Sequence, residues 1–191
     1  MSQDTADKYI MNGDLLDISY GEGAIQERVR QLGCELAADY AGKNPVFIGV
    51  LNGAFIFLAD LVRACEFPLE LRFLRASSYG SAAVTSGVVK LSDSVSSLPL
   101  TGRHVLIVED ILDSGVTLSR IRELILAESP ASLRLCAFLD KTASRQVPIE
   151  ADYVGFSCGP SFFVGYGLDY AERYRNLPYI GVLKPEIYGG T

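Results

Sequence analysis

Three short apolar runs, at residues 45–51 (PVFIGVL), 105–108 (VLIV) and 133–139 (LRLCAFL), constrain the fold most. They are rich in aliphatic and β-branched residues, show little alternation with polar ones, and are too short for typical helices. Strands covered on both faces of a parallel sheet have this character. Between and before them, residues 22–40 place Ile25, Val29, Leu32 and Leu36 at helical spacing, and 116–127 do the same with Leu118, Ile121 and Ile125. Strands alternating with helices imply an α/β fold with an open, mostly parallel sheet, in which ligands bind beyond the carboxyl ends of the strands.

Further segments extend the pattern. Asn52-Gly53 between two apolar runs is a hairpin signal. The run that follows, 54–65 (AFIFLADLVRAC), is too long for a typical strand and carries Phe55, Leu58 and Val62 at helical spacing, so strand, tight loop and buried helix is the better reading. Residues 69–76 read as a strand, 77–87 as a flexible loop of small and polar residues, and 88–91 as a returning strand. Shorter apolar segments at 153–156, 162–164 and 179–183 complete the chain, which is expected to form one domain over residues 1–191.

Composition excludes some functions. With 49% hydrophobic and 21% charged residues the chain has enough apolar material for a substantial core. A net charge of −6, without a cluster of Lys and Arg, lacks the electrostatic footprint of a nucleic-acid binder. No apolar stretch reaches the ~20 residues that span a bilayer, and the N-terminal MSQDTADKYI lacks the basic start and apolar run of a secretory signal, so a cytosolic location is expected. Cys34, Cys65, Cys136 and Cys158 are scattered among apolar residues, with a single His in the chain to assist a metal site, and read as small buried thiols.

The chemistry concentrates in HVLIVEDILDSGVTL, residues 104–118, where an apolar strand runs into Glu109, Asp110 and then Asp113. Clustered carboxylates at the edge of a core need cations, donors or solvent. Asp113-Ser114-Gly115-Val116-Thr117 can turn sharply and offer amides and hydroxyls to an anion at a helix start. From these five residues alone, a helix capped by Asp113 or Ser114 is the simpler account. Glu109 and Asp110 shift the balance, because carboxylates beside an anion cradle suit a ligand that also offers a sugar diol or a divalent metal ion.

An apolar strand, Glu-Asp, two apolar residues, Asp-Ser-Gly and Thr resembles the phosphoribosyl diphosphate motif of type I phosphoribosyltransferases. The Glu-Asp form resembles the hypoxanthine-guanine branch in particular. Ser77-Ser78-Tyr79-Gly80, Leu139-Asp140-Lys141 and Val164-Gly165-Tyr166-Gly167-Leu168-Asp169-Tyr170, with Arg175 behind, extend the resemblance over nearly the whole chain in the expected order. It implies the type I phosphoribosyltransferase fold: a twisted, mostly parallel sheet flanked by helices, a small hood and a flexible active-site loop. The implied reaction joins hypoxanthine or guanine to the anomeric carbon of phosphoribosyl diphosphate, with release of diphosphate.

The resemblance assigns Glu109 and Asp110 to the ribose hydroxyls, directly or through Mg2+, and Asp113 to general base catalysis. Ile111, Leu112, Ser114, Gly115, Val116 and Thr117 complete the 5′-phosphate segment. Lys141 would donate to the 6-oxo group, Phe162 stack on the base and Phe163 read its edge through backbone contacts. Asp169 would be a second metal-side acid, Arg175 would complete the diphosphate pocket, and Ser78 and Tyr79 would lie near the diphosphate in the closing loop. Leu51-Asn52-Gly53 matches a diphosphate-binding loop, often with a cis peptide, in which relatives more often carry Lys or Arg where this chain has Asn52. Weaker diphosphate binding is therefore expected. The family also implies a homodimer or homotetramer acting on small molecules. A xanthine-preferring enzyme and a non-catalytic nucleotide sensor are the rival readings, though no DNA-binding segment or basic stripe supports the latter.

Overall fold

The computed structural model describes residues 13–78, 89–91, 95 and 98–189. In chain order the elements are β1 (Leu15–Tyr20), α1 (Glu22–Tyr40), β2 (Val46–Leu51), α2 (Phe55–Ala64), β3 (Glu70–Ser78), β4 (Val89–Leu91) and β5 (His104–Leu112). There follow α3 (Val116–Ala127), β6 (Ser132–Asp140), β7 (Tyr153–Ser157), β8 (Phe163–Val164), β9 (Ile180–Leu183) and the short α4 (Pro185–Tyr188).

Six strands form the main sheet in the order β4-β3-β2-β5-β6-β7. The five from β3 to β7 are parallel, and β4 is antiparallel at the edge. The expected helices appear at 22–40, within 54–65 and at 116–127, so the Asn52-Gly53 pair leads into α2 and makes no hairpin. A second, antiparallel sheet of order β1-β9-β8 forms the hood. Its strand β1 lies in a stretch from which no element was expected, since its burial pattern has one buried residue in six and offers no apolar run.

Alternation along the central strands divides the core. Phe47, Leu106, Val108, Cys136 and Phe138 pack with Ile25, Val29, Leu32 and Leu36 of α1 and Phe57, Leu58 and Leu61 of α2. Their neighbours Val46, Ile48, Val50, Val105, Ile107, Leu135 and Ala137 pack on the opposite face with Leu118, Ile121 and Ile125 of α3. Each Val, Leu, Ile or Phe among them stabilises by about 1.5–3 kcal/mol when fully buried. Both faces are therefore sealed, and the carboxyl edge of the sheet is left to carry chemistry.

One expectation about the cysteines needs correction. Cys136 is buried, Cys65 and Cys158 are partly buried, and Cys34 is exposed on the outer face of α1. Burial pushes the Cys65 thiol up to about 12 and, as the largest of several causes, the Cys158 thiol to about 11, so neither is a reactive thiolate.

Candidate active site

Strand β5 continues past 105–108 and carries Glu109, Asp110, Ile111 and Leu112 to the carboxyl edge. Leu112 is fully buried and anchors the end of the strand. Asp110 accepts a hydrogen bond from the Ile111 amide at 2.8 Å. Burial first, then the charge of Asp110 and a hydrogen bond with it, raise the Glu109 carboxyl well above its usual range. Asp110 is also raised, by burial, against the lowering effect of hydrogen bonds from the Ile111 amide and Glu109 and of the Arg175 charge. One oxygen of Glu109, Oε2, is buried without a hydrogen-bond partner. Among the described residues, that oxygen is left without a donor.

The loop after β2 passes directly under this pair. A Cβ at Gly53 would lie 1.6 Å from Asp110 Oδ2, so only glycine allows the approach. The Leu51–Asn52 peptide is cis, as the resemblance implied, and Asn52 is exposed. The Gly53 carbonyl in turn lies against Gly167, in the turn that precedes Asp169.

Beyond Leu112 the chain turns through Asp113, Ser114 and Gly115 into α3. Neither Asp113 nor Ser114 caps the helix as the simpler reading required: the cap position is Gly115, at φ 81°, with no side-chain cap. Ser114 Oγ lies 3.5 Å from the Val116 amide, at the outer limit of a hydrogen bond. Among the described residues, the amides of Asp113, Ser114 and Gly115 have no backbone acceptor. Free amides and the partial positive end of α3 suit an anion, with Val116 and Thr117 in its first turn.

Asp113 is 49% exposed, and its Oδ2 stands 3.6 Å from Lys141 Nζ, which is only 13% exposed. Both line a cavity of about 260 Å³ with Asp110, Ile111, Ser161, Phe162, Phe163, Leu168 and Asp169. Phe162 stacks on Tyr188 at 4.8 Å between centroids, and the Phe163 side chain is buried in β8. Asp169 pairs with Arg175 at 2.9 Å and accepts from the Glu172 amide, while Arg175 also donates to the Gly167 carbonyl. Ser78 ends β3, and Tyr79 lies outside the described residues. A larger cavity of about 750 Å³ lies against α3 and β6 and shares none of these residues.

The structure therefore gathers the residues expected to meet the base around one cavity, with the Gly53 loop and the anion-facing turn at its edge. Ser161 and Leu168 were not assigned roles from sequence: a Ser in a loop and a Leu beside an Asp carry no local signal of a lining position. Among the described residues, no three His, Cys, Asp or Glu side chains converge into a metal cage. A cation shared with ligand oxygens suits the unpartnered Glu109 oxygen better, as expected of magnesium, which is commonly held by one or two carboxylates together with phosphates.

The phosphoribosyl transferase domain model matches residues 21–171, which include all of this carboxyl edge up to Asp169. The chain belongs to the phosphoribosyltransferase family. The hypoxanthine-guanine phosphoribosyltransferase of Bacillus subtilis is 47% identical over 94% of the chain and 99% of its own length. A hypoxanthine phosphoribosyltransferase crystal structure from Staphylococcus aureus superposes with a TM-score of 0.89 at 41% identity, covering 94% of this chain and 97% of that one. The bifunctional protein TilS/HprT of Listeria innocua is 52% identical over 93% of the chain, which spans 27% of that protein's length. These similarities favour the hypoxanthine-guanine branch over the sensor and xanthine readings. No helix among the described residues is long and apolar enough to cross a membrane.

Proposed function

We propose that this family member salvages purines, transferring the 5-phosphoribosyl group of phosphoribosyl diphosphate to hypoxanthine or guanine and releasing diphosphate. The observation that carries the reading is the pairing of Lys141 and Asp113, 3.6 Å apart, in a cavity that Phe162 also lines. A 6-oxopurine presents O6 and N7 side by side on one edge. Lys141 donates to O6 while Asp113 takes the proton of the imidazole-side nitrogen as N9 bonds to the sugar. Phe162, backed by Tyr188, offers a ring face to the base. An adenine would bring an amino donor against the ammonium of Lys141, leaving both unpaired.

At the sugar, the bond to diphosphate breaks as positive charge develops on the ring, in the manner of glycoside cleavage. Glu109 and Asp110 face the ribose hydroxyls, and once ionised their charge stabilises that cation-like state. The free amides of Asp113, Ser114 and Gly115, with the hydroxyls of Ser114 and Thr117, hold the 5′-phosphate. Glu109 and Asp110, and on the diphosphate side Asp169, are the residues that would hold Mg2+, which would supply charge neutralisation to the diphosphate. Leu51, Asn52, Gly53 and Arg175 bound the diphosphate side, where Ser78 and Tyr79 of the closing loop also belong. A cytosolic homodimer or homotetramer fits this role.

The test is chromatographic. Purified protein with magnesium and phosphoribosyl diphosphate should form nucleoside monophosphate from hypoxanthine or guanine, with one diphosphate released per nucleotide. Absence of product from every purine base would refute the proposal.

A further inference from the structure

Arg145 lies outside the cavity, yet it holds the segment that builds the cavity's polar wall. Its guanidinium donates to the Leu112 carbonyl at 2.8 Å and the Asp113 carbonyl at 2.6 Å, and pairs with the Asp140 carboxylate. Arg145 and Asp140 side chains are 15% and 12% exposed, so the cluster is largely shielded from water. Two backbone bonds complete the strap: the Lys141 amide donates to the Leu112 carbonyl at 3.0 Å, and the Gln146 amide to the Ser114 carbonyl at 2.9 Å. Three successive carbonyls, at 112, 113 and 114, are thus all held by residues 141–146.

This has a direct consequence for the anion site. A carbonyl turned toward a phosphate would repel it, and a turn can present successive amides only if its carbonyls are drawn elsewhere. The strap draws them outward. It also packs on the turn itself: a Cβ at Gly115 would meet Ile149 Cγ2 at 2.4 Å, Val147 Cγ2 at 3.1 Å and Arg145 Cδ at 3.2 Å. Because Arg145 joins Leu112 and Asp113 to Asp140, whose neighbour is Lys141, the same guanidinium fixes the spacing between Asp113 and Lys141.

We infer that Arg145 is a positioning residue, which sets the Asp113–Lys141 separation and the amide orientation of the phosphate turn without touching substrate. The forked geometry of a guanidinium is what the role needs, since it reaches two carbonyls and one carboxylate at once. An ammonium is a single point and cannot span all three. The inference rests on the proposed reaction, so wild-type nucleotide formation is measured first, and its absence would count against that reaction rather than against Arg145.

The variants are Arg145→Met, Arg145→Lys, Arg145→Ala and the pair Arg145→Met with Asp140→Asn, the last removing the carboxylate that a single substitution would leave buried without its partner. In the double variant, kcat should fall on the order of 10²-fold in protein shown by circular dichroism and melting to be folded, because misplacing reacting groups by about 1 Å costs that much. The KM for phosphoribosyl diphosphate should rise with it. Arg145→Lys should recover little, whereas free guanidinium ion should restore part of the turnover of Arg145→Ala. Wild-type kcat and KM values in the folded double variant would overturn the inference. So would losses that track only the unfolded fraction and do not respond to guanidinium.

Discussion

Replacing Glu109 by Gln should stabilise the protein and disable it. The side chain sits near the end of β5, beside Asp110, with Oε2 buried and without a hydrogen-bond partner among the described residues. Its carboxyl is raised well above the usual range, chiefly by burial. A raised folded-state value means that the native protein holds this proton more tightly than the unfolded chain does. The corresponding stability is complete below the unfolded value near 4.5 and is lost as pH rises through the folded value. By pH ~8, far above the unfolded value, this buried carboxyl should cost the fold about 1–3 kcal/mol, which Gln removes. For a chain of this length, melting temperature moves roughly 2–4 °C per kcal/mol, so Glu109→Gln should melt about 2–12 °C higher than wild type at pH ~8. At pH ~5, close to the unfolded value, the difference should nearly vanish. Turnover should nevertheless fall on the order of 10²-fold, because a charge facing the developing cation has gone. Melting followed by circular dichroism at the two pH values decides the matter. A variant that is no more stable than wild type at the higher pH, or equally stabilised at both, would show that the buried Glu109 carboxyl carries no such penalty.

Three other substitutions separate roles within the site. Asp113→Asn should lower kcat by about 10²–10⁴-fold with a melting shift within ~2 °C, since the exposed side chain caps nothing, and steady-state kinetics beside a melt checks both. Gly53→Ala would drive a methyl into Asp110 Oδ2, so turnover should fall by at least ~10²-fold with reduced stability, read by the same pair of measurements. Asn52→Lys should tighten phosphoribosyl diphosphate and diphosphate binding by about fivefold, the effect of one ion pair of about 1 kcal/mol near solvent, measurable by inhibition and KM.

Much of the fold was legible because the core strands and helices carry opposite periodicities. Glu22–Tyr40 and Val116–Ala127 fall where the apolar spacing places them, and the unalternating runs became parallel strands sealed on both faces. The hood strand β1 escaped notice because exposed residues such as Leu16 and Ile18 give it no inward-facing pattern. At the site, residue types and their order revealed the acids, the turn and the lysine. Sequence did not reveal that Gly115, and not Asp113 or Ser114, stands at the helix start, where it has φ 81° and a Cβ would meet Ile149, thirty-odd residues away. Nor did it reveal Arg145, which holds two backbone carbonyls that leave no mark on residue identity, besides the Asp140 carboxylate.

In the proposed reaction, Lys141 and Asp113 together read the O6–N7 edge of a 6-oxopurine. Its most direct test is kcat/KM for hypoxanthine against adenine in the wild type and in Lys141→Met. The wild type should prefer hypoxanthine by at least ~10²-fold, as a site that pairs a polar group rejects an analogue lacking the partner, and Lys141→Met should lose most of that preference. Comparable turnover of the two bases by the wild type, or a preference that survives intact in Lys141→Met, would contradict the account.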